Sequence, residues 1–227
     1  MNVAIIAAAG QGTRMGGKRA KQFLELAGIP IIIHTLQAFE TCEAIQEIIL
    51  VLPEADVRGF SAVARPYKLA KVRAVVPGGV TRASSVLNGL RAVKASDDDI
   101  VVVHDGSRPL VTAAEIKRTA QAAEVSGAAI LVAPIVDTVK EVRDGAVKRT
   151  VPREQLRRAL TPQCFRYEML RQAYERVDEL DPSLTDESSL VERLGVTVTV
   201  VEGSSRNIKV TRPEDLVVAE ALLMRGL

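Results

Sequence analysis

Short runs rich in β-branched residues alternate along the chain with longer segments in which apolar residues recur every three or four positions. The first pattern predicts strands at residues 3–8, 47–52, 73–76, 100–104, 128–133 and 197–202. The second predicts helices at residues 30–40, 54–64, 82–94, 113–126, 166–179, 187–194 and 213–224. Thr81 and Thr112 stand where N-caps are expected, and Pro213 follows Arg212 at a first helical position. Strands that alternate with helices cross over into a mostly parallel sheet covered on both faces, so the expected fold is α/β, Rossmann-like and three-layered.

One segment breaks the alternation. Residues 137–151 read DTVKEVRDGAVKRTV, two strand-like runs around Asp144-Gly145, the dipeptide of a tight hairpin turn. Its many charges suit a β-hairpin arm that projects from the sheet. With no internal repeat, low-complexity tract or linker, residues 1–227 are read as one domain.

Composition narrows the functions. The 227 residues are 47% hydrophobic and 26% charged, but only 3% aromatic, with no Trp. Stacking of nucleic-acid bases needs aromatic side chains, so a nucleic-acid partner is not expected. Thirty basic and 28 acidic residues leave a formal charge of +2, so anion binding must come from local clusters. Cys42 and Cys164 lie far apart, and His34 and His104 are the only histidines, which argues against a disulfide framework and against zinc. The amino terminus passes directly into a strand-like run without signal-peptide features, and no apolar run approaches the ~18 residues of a membrane span, so a cytoplasmic protein without a membrane partner is expected.

The strongest local cluster is AIIAAAGQGTRMGGKRAKQF, residues 4–23, where an apolar run empties into glycines and then into Arg14, Lys18, Arg19 and Lys21. Ligands of open parallel sheets bind beyond the carboxyl ends of the strands, which is where Gly10 begins. Glycines let amide N–H groups approach a phosphate, and Arg and Lys supply compensating charge. The dinucleotide fingerprint fails because Met15 breaks the spacing, giving Gly10-x-Gly12-x-x-x-Gly16. A Walker A loop nearly forms from Gly12 to Lys18, with residues 101–105, VVVHD, as a possible Walker B strand, but Arg19 replaces the magnesium-binding hydroxyl. A nucleotidyltransferase loop that wraps a triphosphate fits every residue.

Further punctuation follows in order: KQFLEL, PGGVTRASSVLNGL, VVVHDGSRPLV, APIVDTVKEV, ALTPQCF, LTDESSLVE and GSSRNIKVTRPEDL. Together with AAAGQGTRMG, this ordered set resembles 2-C-methyl-D-erythritol 4-phosphate cytidylyltransferases of the non-mevalonate isoprenoid pathway over nearly the whole chain. The resemblance implies transfer of a cytidylyl group from CTP to methylerythritol phosphate, with magnesium as cofactor and release of pyrophosphate. The attacking phosphate oxygen is already anionic, so catalysis needs positioning and charge stabilisation rather than a side-chain base.

By the same resemblance, Arg14 and Lys21 are the catalytic residues, stabilising charge at the α-phosphate. Ala7, Ala8, Ala9, Gly10 and Gly12, with Gly79, Ser85 and Asp105, form the CTP-binding set. Asp105, Arg108, Lys209, Thr161, Thr185, Arg153 and Thr138 position the substrates, with Thr161 and Thr185 in site loops. The family leaves open whether any side chain ligates the metal, because magnesium is often held by phosphates and water. His104 reads as a packed histidine. Residues 137–153 resemble the family's dimerisation arm, which implies a homodimer in which Arg153 and Thr138 complete the partner's site. Gly106 and Ser107 depart from the two small apolar residues of many relatives, and Pro152 stands in VPR where VDR is common.

Three rivals remain at this point. A ribitol-5-phosphate cytidylyltransferase shares the chemistry, although AAAGQG, DTVKEV, LTPQ and KVTRPEDL lean toward methylerythritol phosphate. A non-catalytic nucleotide-binding regulator would not need Arg14, Lys21, Arg153 and Lys209 together. A nicotinamide dehydrogenase would carry a bound cofactor absorbance.

Overall fold

A computed structural model describes residues 1–10, 21–181 and 183–224. Gly12 and Arg14 fall outside these residues, as does the side chain of Lys21. In chain order the strands are β1 Asn2–Ala7, β2 Glu25–Leu26, β3 Ile29–Pro30, β4 Glu47–Leu52, β5 Val72–Pro77, β6 Ile100–Asp105, β7 Ala128–Pro134, β8 Val139–Arg143, β9 Ala146–Val151, β10 Arg157–Arg166 and β11 Thr199–Glu202. The helices are α1 Ile31–Thr41, α2 Glu54–Val57, α3 Phe60–Ala64, α4 Arg82–Ala92, α5 Ala113–Ser126, α6 Tyr167–Glu175, α7 Glu187–Glu192 and α8 Pro213–Met224.

Seven strands form one sheet in the order β11-β7-β10-β6-β1-β4-β5. Strand β1 runs parallel to β4 and β6, and β5 and β11 add in parallel to β4 and β7. Strand β10 alone is antiparallel, wedged between β6 and β7. Side chains alternate between the two faces of a strand, and the core divides accordingly. Ala4, Ile6, Ile48, Leu50 and Val102 pack with Leu36 of α1 and Ile116 of α5. Val3, Ile5, Ile49, Val51, Val101 and Val103 pack with Val86 and Leu90 of α4, Leu170 of α6 and Leu190 of α7. The strands therefore read as continuous apolar runs because both faces are covered.

All six predicted strands are present, with no end displaced by more than two residues. Both threonine caps form reciprocal capping boxes: the Thr81 hydroxyl accepts from the Ser84 N–H and the Thr112 hydroxyl from the Glu115 N–H, while the Ser84 and Glu115 side chains take the cap N–H groups. Pro213 opens α8, and the Asp215 carboxylate accepts the N–H groups of Thr211 and Arg212. The hairpin turns at Asp144 and Gly145, with φ of 50° and 78°, the pair of positive values a two-residue turn requires. Strands β8 and β9 pair only with each other.

Four expectations need correction. The helix expected at 54–64 breaks into α2 and α3 around Arg58-Gly59, because α2 buries no side chain and a glycine there is costly to hold in a helix. The helix expected at 166–179 stops at Glu175; beyond it the Asp178 carboxylate takes the Leu180 N–H in a local turn. The helix expected at 187–194 stops at Glu192, and Gly195 follows at a φ of 78°. Most consequentially, residues 157–166 form a strand, so Thr161 sits within a buried strand rather than a loop. The β7 pairing shifts register between Ala159 and Gln163, which accommodates Pro162 and its missing N–H.

Cys42 and Cys164 are both buried free thiols. No helix among the described residues is long and apolar enough to cross a membrane.

Candidate active site

The parallel strands β1, β4, β5 and β6 all end on the same side of the sheet, and the segments leaving them enclose a cavity of about 800 Å³. Ala8, Ala9 and Gly10 follow β1, Pro53 and Glu54 follow β4, Gly78 and Gly79 follow β5, and Ser107 follows Asp105 at the end of β6. This is the crevice expected of an open α/β sheet, and its size suits a nucleotide. Gly10 and Gln22, on either side of the basic loop, both line it.

One wall is built from main chain. The Gly78 N–H donates to the Leu52 carbonyl at 2.8 Å, and a Cβ on Gly78 would sit 2.1 Å from the Cβ of Ala9. Only glycine allows this approach. The Ser85 hydroxyl accepts the Gly79 N–H at 3.0 Å and donates to the Thr81 carbonyl at 2.8 Å, so its first duty is to fix the glycine turn.

The opposite wall is electrostatic. Asp105 Oδ1 receives Arg82 Nε at 3.2 Å, while Oδ2 receives Arg108 Nε at 3.2 Å and Lys209 Nζ at 3.0 Å. Arg82 Nη1 continues to Glu187 Oε1 at 2.8 Å, where the Tyr174 hydroxyl also donates at 3.1 Å. Burial alone would raise the Asp105 carboxyl, but Arg82, Lys209 and Arg108 hold it far below the usual carboxylate range. Burial pulls Arg82 down, yet Glu187 and Asp105 keep it above its ordinary value. Three cations against two carboxylates leave an excess positive charge, and Arg82 and Lys209 reach the cavity.

Thr161 and His104 lock this arrangement from behind. The Thr161 hydroxyl oxygen accepts the Asp105 N–H at 3.1 Å and lies 2.9 Å from His104 Nδ1. His104 Nε2 is 3.2 Å from the Arg108 carbonyl, which can only accept. Hence Nε2 carries the proton, and Nδ1 accepts from Thr161. His104 also packs on Phe39, with ring centroids 5.0 Å apart, and is a packed histidine as expected.

Burial holds the His104 pKa down at about 3. The unfolded chain therefore binds more protons than the native one between about 6.5 and 3, so stability is greatest above this window and erodes as pH falls through it. A slope of up to about 1.4 kcal/mol per pH unit is expected between pH 6.5 and 4.5, before the carboxylates titrate. Urea denaturation across that range checks it; a flat profile there, or one unchanged by His104→Gln, would contradict the assignment.

Of the residues singled out in the sequence, Ala7, Ala8, Ala9, Gly10, Gly79, Ser85, Asp105 and Lys209 line the cavity. Arg108 lies behind it, its Nη1 donating to the Asn207 carbonyl at 2.9 Å. Thr161 acts through Asp105 and His104. Thr185 is exposed in the segment before α7. Thr138 and Arg153 are exposed beside the arm, away from the cavity, with the Arg153 guanidinium on the Val136 carbonyl. Arg82, Glu187 and Gln22 escaped sequence reading: the first two lie on helices whose pairing spans 105 positions, and no local pattern marks such a contact.

Comparison with known proteins agrees with this fold. The family model described as IspD, 2-C-methyl-D-erythritol 4-phosphate cytidylyltransferase, matches residues 2–225. The 2-C-methyl-D-erythritol 4-phosphate cytidylyltransferase of Geotalea uraniireducens is 46% identical over 97% of this chain and 95% of its own length. That of Pelotomaculum thermopropionicum is also 46% identical, over 97% and 93%. Among solved structures, 4-diphosphocytidyl-2C-methyl-D-erythritol synthase from Anaerococcus prevotii superposes with a TM-score of 0.86 at 32% identity, covering 99% of this chain and 96% of that one. The enzyme of Thermus thermophilus gives a TM-score of 0.78 at 36% identity, covering 97% and 98%. With its strand ends, main-chain cradle and cationic wall in place, and a family match from residue 2 to residue 225, this chain belongs to the 2-C-methyl-D-erythritol 4-phosphate cytidylyltransferase family.

Proposed function

We propose that the cavity is where CTP and methylerythritol phosphate meet, within a single nucleotidyltransferase domain. The protein transfers a cytidylyl group from CTP to 2-C-methyl-D-erythritol 4-phosphate, giving 4-diphosphocytidyl-2-C-methyl-D-erythritol and pyrophosphate. The observation that carries the site assignment is the convergence of four strand ends on one cavity with Lys209 and Arg82 in its wall. The substrate phosphate oxygen attacks the α-phosphorus in line; a P–O bond forms as the bond to the leaving pyrophosphate breaks. No proton moves, so the protein's task is to place two anions together and to offset the charge that builds between them.

Lys209 and Arg82 suit the incoming phosphate, because Asp105 holds both in a fixed geometry before substrate arrives. The close main-chain wall at Gly78 and Gly79 offers backbone groups to the edge of a pyrimidine. Arg14 and Lys21 are assigned to the α-phosphate on the family resemblance. Magnesium fits the site only as a companion of the nucleotide. Both oxygens of Asp105 already face cations, and the described residues contain no group of three or more His, Cys, Asp or Glu side chains able to hold a metal. Bound with CTP, the metal would supply charge neutralisation on the phosphates, with Asp105 as the buried carboxylate that lines the cavity.

Arg153 and Thr138, exposed and remote from this chain's cavity, are read as contributions to the site of a second copy, so that the arm at 137–153 makes a homodimer. The exposed valines Val136, Val142 and Val147 support an arm that is covered by a partner. Sedimentation showing only monomer at catalytic concentration would remove the arm from the site. The reading is of a cytoplasmic enzyme.

Pyrophosphate release from CTP and magnesium, with methylerythritol phosphate and ribitol 5-phosphate offered separately, tests the function. Release with methylerythritol phosphate alone is expected. Release with ribitol 5-phosphate alone would overturn the substrate, and silence with both would favour a nucleotide-binding regulator.

A further inference from the structure

Gln22 follows the basic loop and occupies the second position of a short 3-10 turn, Lys21–Phe23. The two residues that follow it are anchored, Phe23 in the core cluster with Ala8 and Ile32, and Leu24 against the cluster of Ile31 and Val210. Gln22 lines the same cavity as Lys209 and Ser107. Gln22 is 1% exposed, yet neither its amide nitrogen nor its amide oxygen has a hydrogen-bond partner among the described residues.

A buried amide with both ends unpaired is costly, and folded proteins rarely retain one without a use. An apolar side chain of the same size would pack at least as well. The amide offers two donors and one acceptor side by side. A phosphate only accepts, so it would pair the nitrogen and leave the oxygen alone. A hydroxyl both donates and accepts, and two adjacent hydroxyls can satisfy both ends at once.

We propose that Gln22 is a substrate-binding residue whose amide receives a vicinal pair of hydroxyls in the cavity. Both substrates carry this chemistry, on the ribose of CTP and on the polyol of methylerythritol phosphate. The assignment deepens the cytidylyltransferase reading and rests on it.

The test is steady-state kinetics of Gln22→Leu beside wild type, with CTP, 2′-deoxy-CTP and methylerythritol phosphate, together with a thermal melt. Gln22→Leu should melt no lower than wild type while KM for one substrate rises about tenfold, the effect of roughly one buried hydrogen bond. If the ribose is the ligand, the preference of wild type for CTP over its deoxy analogue collapses in the variant. If the polyol is the ligand, KM for methylerythritol phosphate rises and that preference stays. Should Gln22→Leu fold poorly, Gln22→Glu keeps the size and the acceptor but loses the donor, and one of the two KM values must still rise. Unaltered KM values and an unaltered deoxy preference, whether stability falls or holds, would overturn the proposal and leave Gln22 a structural residue. Wild type that turns over beside such a variant removes this assignment alone; wild type that releases no pyrophosphate removes the functional reading and the assignment with it.

Discussion

Lys21→Ala is expected to lower kcat by about 10²–10³, with a much smaller change in the affinity for CTP. The α-phosphorus becomes five-coordinate at the transition state, and the charge on its oxygens and on the departing bridge oxygen rises above that of bound CTP. A cation aimed at that point gains interaction as the reaction proceeds, and such a gain appears in kcat rather than in KM. The family resemblance assigns this role to Lys21 with Arg14, and Lys21 immediately precedes Gln22, which lines the cavity. Pyrophosphate release at saturating CTP measures kcat, and calorimetric titration of the variant measures CTP binding separately. Unchanged turnover at saturation, with a proportional loss of CTP binding, would reduce Lys21 to a ground-state contact. Lys21→Arg should retain part of the rate because charge survives while the shape of the head group changes.

The second large effect concerns stability. Arg82→Ala is expected to destabilise the fold by about 3 kcal/mol, the lower end of the cost of breaking a buried ion pair, since the arginine keeps some contact with solvent. Its guanidinium joins two buried carboxylates, and Glu187 depends on it more than Asp105 does. Asp105 retains Arg108 and Lys209. Glu187 would retain only the Tyr174 hydroxyl, with Oε2 already unpaired. Adding Glu187→Gln to Arg82→Ala should therefore recover much of the loss, because a neutral amide tolerates that pocket better than a stranded carboxylate. Urea denaturation of wild type, both single variants and the pair gives the coupling. A loss below about 0.5 kcal/mol for Arg82→Ala, or strict additivity in the cycle, would contradict the arrangement.

How much of this was legible in the sequence depends on the reach of the interactions. The capping boxes at Thr81 and Thr112 and the Asp144-Gly145 turn close over a few residues, so their chemistry is written locally. The parallel strands were legible because both faces are buried, which leaves uninterrupted apolar runs. Strand β10 was not, since Pro162 interrupts it and Arg157, Arg158 and Arg166 mark its ends as polar; its position is decided by the two strands between which it fits. Within the site, Asp105 and Lys209 were found through motifs and meet at 3.0 Å. Arg82 was read only as part of an amphipathic helix, because its partners lie 23 and 105 positions away. Gln22 gave no sign at all, since an unpaired amide becomes conspicuous only when its surroundings are known.

The place of β10 in the sheet also bears on how the chain is made. Strands β1, β4, β5 and β6 are all complete by residue 105 and can assemble as each emerges, whereas β7 is finished by residue 134 and still has no neighbour on the β6 side. The strand that joins them is encoded at residues 157–166. At about 5–20 residues per second, the roughly 60 intervening residues take about 3–12 s to synthesise. Throughout that interval the apolar edge of β6, Ile100 to Val103, has one side unpaired, and such an edge invites pairing with other nascent chains. Arrival of a single antiparallel strand closes this edge and the facing edge of β7 together, so the last central strand to be translated is the one that completes the middle of the sheet.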